Sequence, residues 1–207
     1  MNCLILGGGP SLLDSLKGRI CKKDDWFTIG VNLAFMFGDW ENVCYFLDAL
    51  LWWNHEEGLK RFGGRKISLD KTKEGVKSIV GIAPDVEVWR RKGGHGICTI
   101  PKTAYASRTS GGSAINIAYH LGAKRIFLLG YDMHGDVNGW MQNWYPEKYQ
   151  RQPSKKGYAA SMAPFVRIAE DAKRLGLEIF NATPGSALPN FPFVDIEDYN
   201  CLSGGGQ

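Results

Sequence analysis

Short apolar runs recur along the chain at 2–6, 26–31, 43–47, 66–69, 86–89, 125–130 and 177–180, and between them the pattern loosens into helical or loop spacing. Alternation of this kind predicts βαβ units around a mostly parallel sheet. Ile126-Phe-Leu-Leu129 is apolar at every position, as a strand must be when helices cover both of its faces. Helices are expected at 111–121 and 157–175. In the second, Met162, Phe165, Ile168, Ala169, Ala172 and Leu175 recur every three or four residues and mark one buried face. Gly122 and Gly176 follow these helices and supply their stops. A shorter helical pattern, Leu12, Leu13 and Leu16, follows the first run. The fold class is therefore α/β and Rossmann-like, a mostly parallel central sheet with helices on both faces.

At 207 residues and 44% hydrophobic content, the chain suffices for a single domain over 1–200, with 201–207 as a flexible tail. One segment breaks the pattern. Between 134 and 156, after the sixth predicted strand, Trp140, Trp144, Tyr145, Tyr149 and Arg151 follow neither a period of 2 nor one of 3.6. A loop that long and that aromatic reads as a lid or acceptor loop. The formal charge of +4 is mild, and basic residues cluster only at Arg90-Arg-Lys92 and from Arg151 to Lys156. That balance tolerates a phosphorylated ligand but lacks the footprint of a dedicated nucleic-acid binder. Cysteines at 3, 21, 44, 98 and 201 form no CxxC pair, so reduced thiols and a cytoplasmic location are expected. No apolar run approaches the ~18 residues of a membrane span.

Two glycine corners hold the candidate chemistry. Gly7-Gly8-Gly9-Pro10-Ser11 follows the first strand and opens a helix, where backbone N–H groups can face an anion. A dinucleotide fingerprint would need glycine at 12 and an acid after the second strand; the chain has Leu12 and Asn32. The second corner, Thr109-Ser110-Gly111-Gly112, precedes the helix at 111–121. Asn32, Asp48, Asp132 and Asn181 each end a predicted strand, so a parallel sheet lines them along one rim. Amides there can read a base or sugar edge, and the carboxylates Asp48 and Asp132 can take a hydroxyl pair or Mg²⁺. Caps and turns are the competing explanation for all of these residues. His134, just past a strand end, is the candidate for proton transfer, with Asp132 beside it. Neither zinc spacing nor a GxSxG elbow is present.

Taken together, Leu6-Gly-Gly-Gly-Pro-Ser-Leu12, Gly30-Val-Asn-Leu33, Thr109-Ser-Gly111, Leu121-Gly-Ala-Lys-Arg-Ile126, Leu129-Gly-Tyr-Asp-Met133 and Asn181-Ala-Thr183 with Ser186-Ala-Leu188 resemble the DUF115 or MptE-like Rossmann proteins, including small bacteriophage-encoded members. More distantly, the layout is similar to the family 42 bacterial sialyltransferases. That resemblance implies a CMP-activated sugar held at Gly8, Gly9, Pro10, Ser11, Asn32, Thr109, Ser110 and Gly111. Asp48 stands where those enzymes carry Asn, and 154–157 lacks their histidine. The archaeal relatives imply a different chemistry, pyrophosphate transfer from ATP to a hydroxymethyl-pterin with Mg²⁺, for which Asp48 and Asp132 would be ligands. A nucleotide-sugar group transferase is the expected function, with an unknown acceptor. The alternatives are a pterin-type pyrophosphokinase and a non-catalytic, phage-encoded nucleotide-binding module, which would place the chain in a bacterial host cell. A homo-oligomer is compatible with each.

Overall fold

The computed structural model describes residues 1–16, 26–37, 42–72, 74–135, 143–145 and 155–196. Seven strands form one sheet: β1 (Asn2–Leu6), β2 (Trp26–Val31), β3 (Val43–Asp48), β4 (Arg65–Lys71), β5 (Val86–Val88), β8 (Arg125–Leu129) and β9 (Glu178–Asn181). Their order is β5-β4-β3-β2-β1-β8-β9, and every pairing is parallel. The chain steps outward in one direction from β1 to β5, then returns beside β1 with β8 and continues the other way. The β1–β8 boundary is thus the topological switch point, the place where open α/β sheets form a ligand crevice.

Strand residues divide cleanly between the two faces. Cys3, Ile5, Ile126 and Leu128 join one core with Ala114, Ile115, Ile117 and Ala118 of α3 (Ser110–His120) and Phe165, Ile168 and Ala172 of α4 (Lys155–Leu175). Leu4, Leu6, Phe127 and Leu129 face the other way, onto Leu12 of α1 (Ser11–Leu16). Farther along that face, Cys44 and Phe46 meet Trp52 and Leu59 of α2 (Leu50–Arg61). Two-sided burial is why the central strands carry no alternating polar positions; each fully buried Leu, Ile or Phe contributes roughly 1.5–3 kcal/mol. Cys3, Cys44 and Cys98 are buried and unbridged. Among the described residues, no helix is long and apolar enough to cross a membrane.

The sixth predicted strand is β8, because a small parallel pair intervenes: β6 (Arg90–Lys92) and β7 (Thr103–Tyr105). Strands of three residues, one of them Arg-Arg-Lys, offer no periodicity to detect. Also unanticipated was α2, whose sequence LLWWNHEEGLKR buries only Trp52 and Leu59 and leaves helical geometry at His55 (φ −137°). Residues 32–37 form a 3-10 helix. Most of the expected 134–156 loop, and the 201–207 tail, lie outside the described residues.

Buried polar side chains tie the 93–102 segment down. Asn116 Oδ1 accepts from Cys98 N (2.8 Å) and its Nδ2 donates to Gly96 O (2.9 Å). Asp171 accepts the Ile97 N–H at 2.9 Å and the Arg174 guanidinium at 3.1 Å. Burial by itself would raise the Asp171 pKa, but the Ile97 N–H, Arg174 and Arg167 outweigh it and hold the carboxyl below its usual range. A depressed folded-state value adds stability above the unfolded pKa of about 4, and that stability is lost as pH falls through the lower folded value. Asp171→Asn should therefore lower the urea midpoint at pH 7, and the gap from wild type should narrow steadily below about pH 4. A gap independent of pH would show that the carboxylate charge contributes nothing.

Candidate functional site

The first glycine corner and the end of β8 are bound directly to each other. Gly7 N–H donates to Leu129 O at 2.7 Å and Gly9 N–H to Gly130 O at 2.8 Å, carrying the β1–β8 pairing past the strands. Asp132 completes the contact: its Oδ1 accepts the Ser11 N–H (3.1 Å) and its Oδ2 the Ser11 hydroxyl (2.8 Å). A Cβ on Gly9 would overlap that carboxylate and stand 2.8 Å from Gly130 O, so no other residue fits. The carboxylate, 5% exposed, sits at the N-terminus of α1, where the free N–H groups and the helix dipole favour negative charge.

The second corner is a helix start of ordinary construction. Thr109, in extended conformation, is the N-cap of α3, and its hydroxyl accepts the Gly112 N–H at 3.1 Å. Ser110 and Gly111, at the first two positions, have N–H groups for which the helix itself offers no acceptor. Tyr131 braces them from below: its hydroxyl donates to Gly111 O (3.1 Å), and its ring lies where a Cβ on Gly111 would go. Burial pushes the Tyr131 phenol well above its ordinary pKa, so it remains a neutral donor.

Both corners open onto one cleft. Gly7, Gly8, Gly9, Asn32, Thr109, Ser110, Gly111, Asp132 and His134 line it, and Asn143, Tyr145, Tyr158 and Ser161 close the remaining wall. Trp144 N–H donates to Gly8 O at 3.1 Å, which fixes 143–145 against the first corner. Asn32 (φ 57°) and Met133 (φ 56°), two of the chain's non-glycine residues in the left-handed region, are both on its wall. Conformations of this kind cost of order 1 kcal/mol or more and concentrate at functional sites. His134 is exposed, and its Nδ1 lies 3.0 Å from Gly135 O. A carbonyl can only accept, so Nδ1 is the donor in this contact, and Nε2 is the nitrogen left facing away from it. Among the described residues no Lys or Arg lines the cleft, which leaves backbone N–H groups and neutral hydroxyl and amide side chains as its donors.

The cleft holds about 150 Å³ of open space, less than hollows of about 600 Å³ along Phe35–Arg61 and about 560 Å³ between Ser11 and Ile196. Chemistry separates them better than size: of the three, the cleft alone takes in the first turn of α3 and both sides of the switch point.

Several residues expected at the site have other work. Asp132 reaches the cleft wall, but both its oxygens are engaged by Ser11. Pro10, Ser11 and Gly112 support the corners without lining the cleft. Asn181 is fully buried; its amide donates to Ser186 Oγ (3.0 Å) and Leu188 O (3.1 Å) and accepts the Thr183 N–H (3.1 Å), which consumes it within the 181–188 loop. Asp48 lies outside the cleft, 3.8 Å from the Lys71 ammonium. The strand order separates the ends of β3 and β8 by three spacings, about 14 Å at ~4.8 Å per strand. Two aspartates cannot span that gap around one ion, so the Asp48–Asp132 pair does not fit a shared Mg²⁺. Among the described residues there is no group of three His, Cys, Asp or Glu able to hold a metal. Tyr131, Tyr158, Ser161 and Asn143 were not anticipated; their only sequence signal is position, and α4 brings Tyr158 and Ser161 in from far along the chain.

Neither a protein-family model nor a curated protein sequence matches the chain. Solved structures do. The MAf glycosyltransferase of Magnetospirillum magneticum AMB-1 superposes on 94% of the chain with a TM-score of 0.62 at 16% identity. The sialyltransferase CST-II, solved with a trisaccharide acceptor and CMP, matches 100% of the chain with a TM-score of 0.55 at 15% identity. The chain shares its fold with glycosyltransferases. It spans 33% of the first and 89% of the second. At such identities the likeness is one of fold, and it carries no residue roles with it.

The clasp between Ser11 and Asp132 yields a test of its own. Asp132→Ala should cost about 2–4 kcal/mol, because it strands the part-buried Ser11 N–H as well as deleting two charge-assisted bonds. Ser11→Ala should cost about 1–2 kcal/mol, and the double variant clearly less than the sum, since both remove one shared bond. Strict additivity in denaturant titrations would show that the two side chains do not interact.

Proposed function

We propose that the cleft binds a nucleotide or nucleotide-activated sugar, of the CMP-sugar type, and that the protein transfers the sugar to an acceptor under the 134–156 loop. The observation that carries this reading is the convergence of the two glycine corners, remote in sequence, on one cleft at the switch point. Ser110 and Gly111 offer N–H donors and the positive end of α3 to a phosphate. Asn32 lies beside them for a sugar or base edge, and Tyr145 and Tyr158 present rings for stacking. A protein of the same fold holds CMP, which favours a cytidine ligand among the possibilities.

In the transfer step His134 Nε2 takes the proton of the acceptor hydroxyl as its oxygen bonds to the anomeric carbon. The bond from that carbon to the phosphate oxygen breaks, and the electron pair stays on the phosphate, facing the α3 N–H groups. Asp132 acts at one remove, as a positioning residue that holds the first corner through Ser11.

Thermal shift with CMP, UDP, GDP and ATP, each with and without Mg²⁺, tests the binding claim. A ligand at about a hundred times its Kd stabilises by about 2.7 kcal/mol, and the cytidine nucleotide should give the largest shift with no need of metal. Gly8→Val directs a side chain at Asn143 and Tyr145, and should weaken that binding at least about tenfold. No shift with any nucleotide would end the proposal. For catalysis, His134→Ala should abolish sugar transfer while leaving nucleotide affinity within about twofold. Undiminished turnover would place the base elsewhere, and binding without turnover in the wild type would assign the cleft to a nucleotide-holding module.

A further inference from the structure

Between residues 88 and 108 the chain carries Arg90, Arg91, Lys92, Lys102 and Arg108 and no Asp or Glu, whereas the other 20 Lys and Arg are met by 21 Asp and Glu. The entire positive balance of the protein resides in this one excursion between β5 and α3. All five side chains are exposed. The β6–β7 pair gathers their backbones into one small ribbon: Arg90 N–H donates to Lys102 O (2.9 Å) at one end, and Lys92 O accepts the Ala106 N–H (2.9 Å) at the end that leads to Arg108. The Lys92 ammonium stands 5.7 Å above the Tyr105 ring. Nearby carboxylates are already taken, Glu87 by a bidentate bond to Arg65 (2.8 and 3.0 Å) and Asp171 by Arg174. Among the described residues none of the five basic groups is in an ion pair.

Apolar groups share this surface. Ile100 is 45% exposed at the turn just before Lys102, with Pro101 exposed beside it. Its larger aromatic rings are covered: Trp89 is buried edge-on against His120, and the half-buried Tyr105 lies beneath Lys92. A nucleic acid would find charge here but, beyond the exposed His95, no fully exposed ring on which to stack a base. Exposed cations outside the ion pairs, flanking an exposed aliphatic turn, match the interface of an anionic bilayer, where the cations meet phosphate headgroups and the aliphatic side chain enters the acyl boundary. We infer that the 88–108 excursion docks the protein peripherally on an anionic phospholipid surface. Thr109, the first residue of the second corner, follows directly on Arg108, so docking sets the cleft rim beside the bilayer. This inference concerns a different surface from the nucleotide cleft and stands or falls separately.

Co-sedimentation of the full chain with vesicles tests it. The protein should pellet with phosphatidylcholine vesicles containing phosphatidylglycerol and stay in solution with phosphatidylcholine alone. Raising salt from about 0.1 M to about 1 M, which shortens the Debye length from about 10 Å to about 3 Å, should release it. Arg90→Glu/Arg91→Glu/Lys92→Glu should lower the partition coefficient by at least about a hundredfold, the neutral Gln triple variant by less, and Ile100→Asp further still in the charge-neutral background. Unchanged thermal melts and an unchanged nucleotide shift in these variants certify the fold and keep the two readings apart. Failure of the wild type to pellet with anionic vesicles overturns the inference, as does a charge-reversed variant that pellets like wild type. Retention on heparin or DNA without vesicle binding overturns it in favour of a soluble polyanion.

Discussion

The site depends on how closely two backbones approach one another at the centre of the sheet. Past the ends of β1 and β8 the chain keeps pairing, Gly7 to Leu129 and Gly9 to Gly130, and the Asp132 carboxylate enters the first turn of α1. Only residues without a Cβ permit that approach. A buried carboxylate is tolerable there because it accepts two hydrogen bonds from Ser11 and faces the positive end of a helix. With α1 neutralised from inside, the anion-binding capacity left to the cleft lies chiefly in the first turn of α3.

Loops behind the cleft are held by the same means, buried side chains that satisfy backbone groups. Asn181, Thr183 and Ser186 form a connected set beneath β8 in which Thr183 Oγ1 accepts the Tyr131 N–H and Ser186 Oγ donates to Tyr131 O. Tyr131 in turn bonds Gly111 O, so a single residue links β8, the 181–188 loop and the start of α3. Polar networks of this kind are costly if broken and rigid if complete. They hold the N–H groups of Ser110 and Gly111, for which the helix offers no acceptor, at the wall of the cleft.

How much of this the chain discloses in advance varies with the element. Strands with every position apolar, such as 2–6 and 126–129, are unmistakable, because only two-sided burial makes such a run. Helix α3 and helix α4 are legible from their spacing and from Gly122 and Gly176, both at positive φ. Helix α2 is not, since two buried residues in twelve and a break at His55 leave almost no amphipathic signal. Within the site, the two glycine corners and Asn32 stand out locally. Asp132 and Asn181 look equivalent as polar strand ends, yet one clasps a helix and the other is sealed inside its own loop. Tyr158 and Ser161 show nothing until α4 is packed.

The amino-acid sequence by itself determined the parallel α/β sheet and the placing of glycine corners at strand ends, because hydrophobic periodicity and backbone freedom are local properties. Tertiary structure alone decided which strand ends meet. Asn32, Asp48, Asp132 and Asn181 all share the carboxyl rim, but strands about 4.8 Å apart put only near neighbours within reach of one ligand. Strand order, set by how the chain returns beside β1, therefore chose the second corner as the partner of the first and left Asp48 out, while Asn181, on the strand next to β8, was withdrawn by its own buried hydrogen bonds.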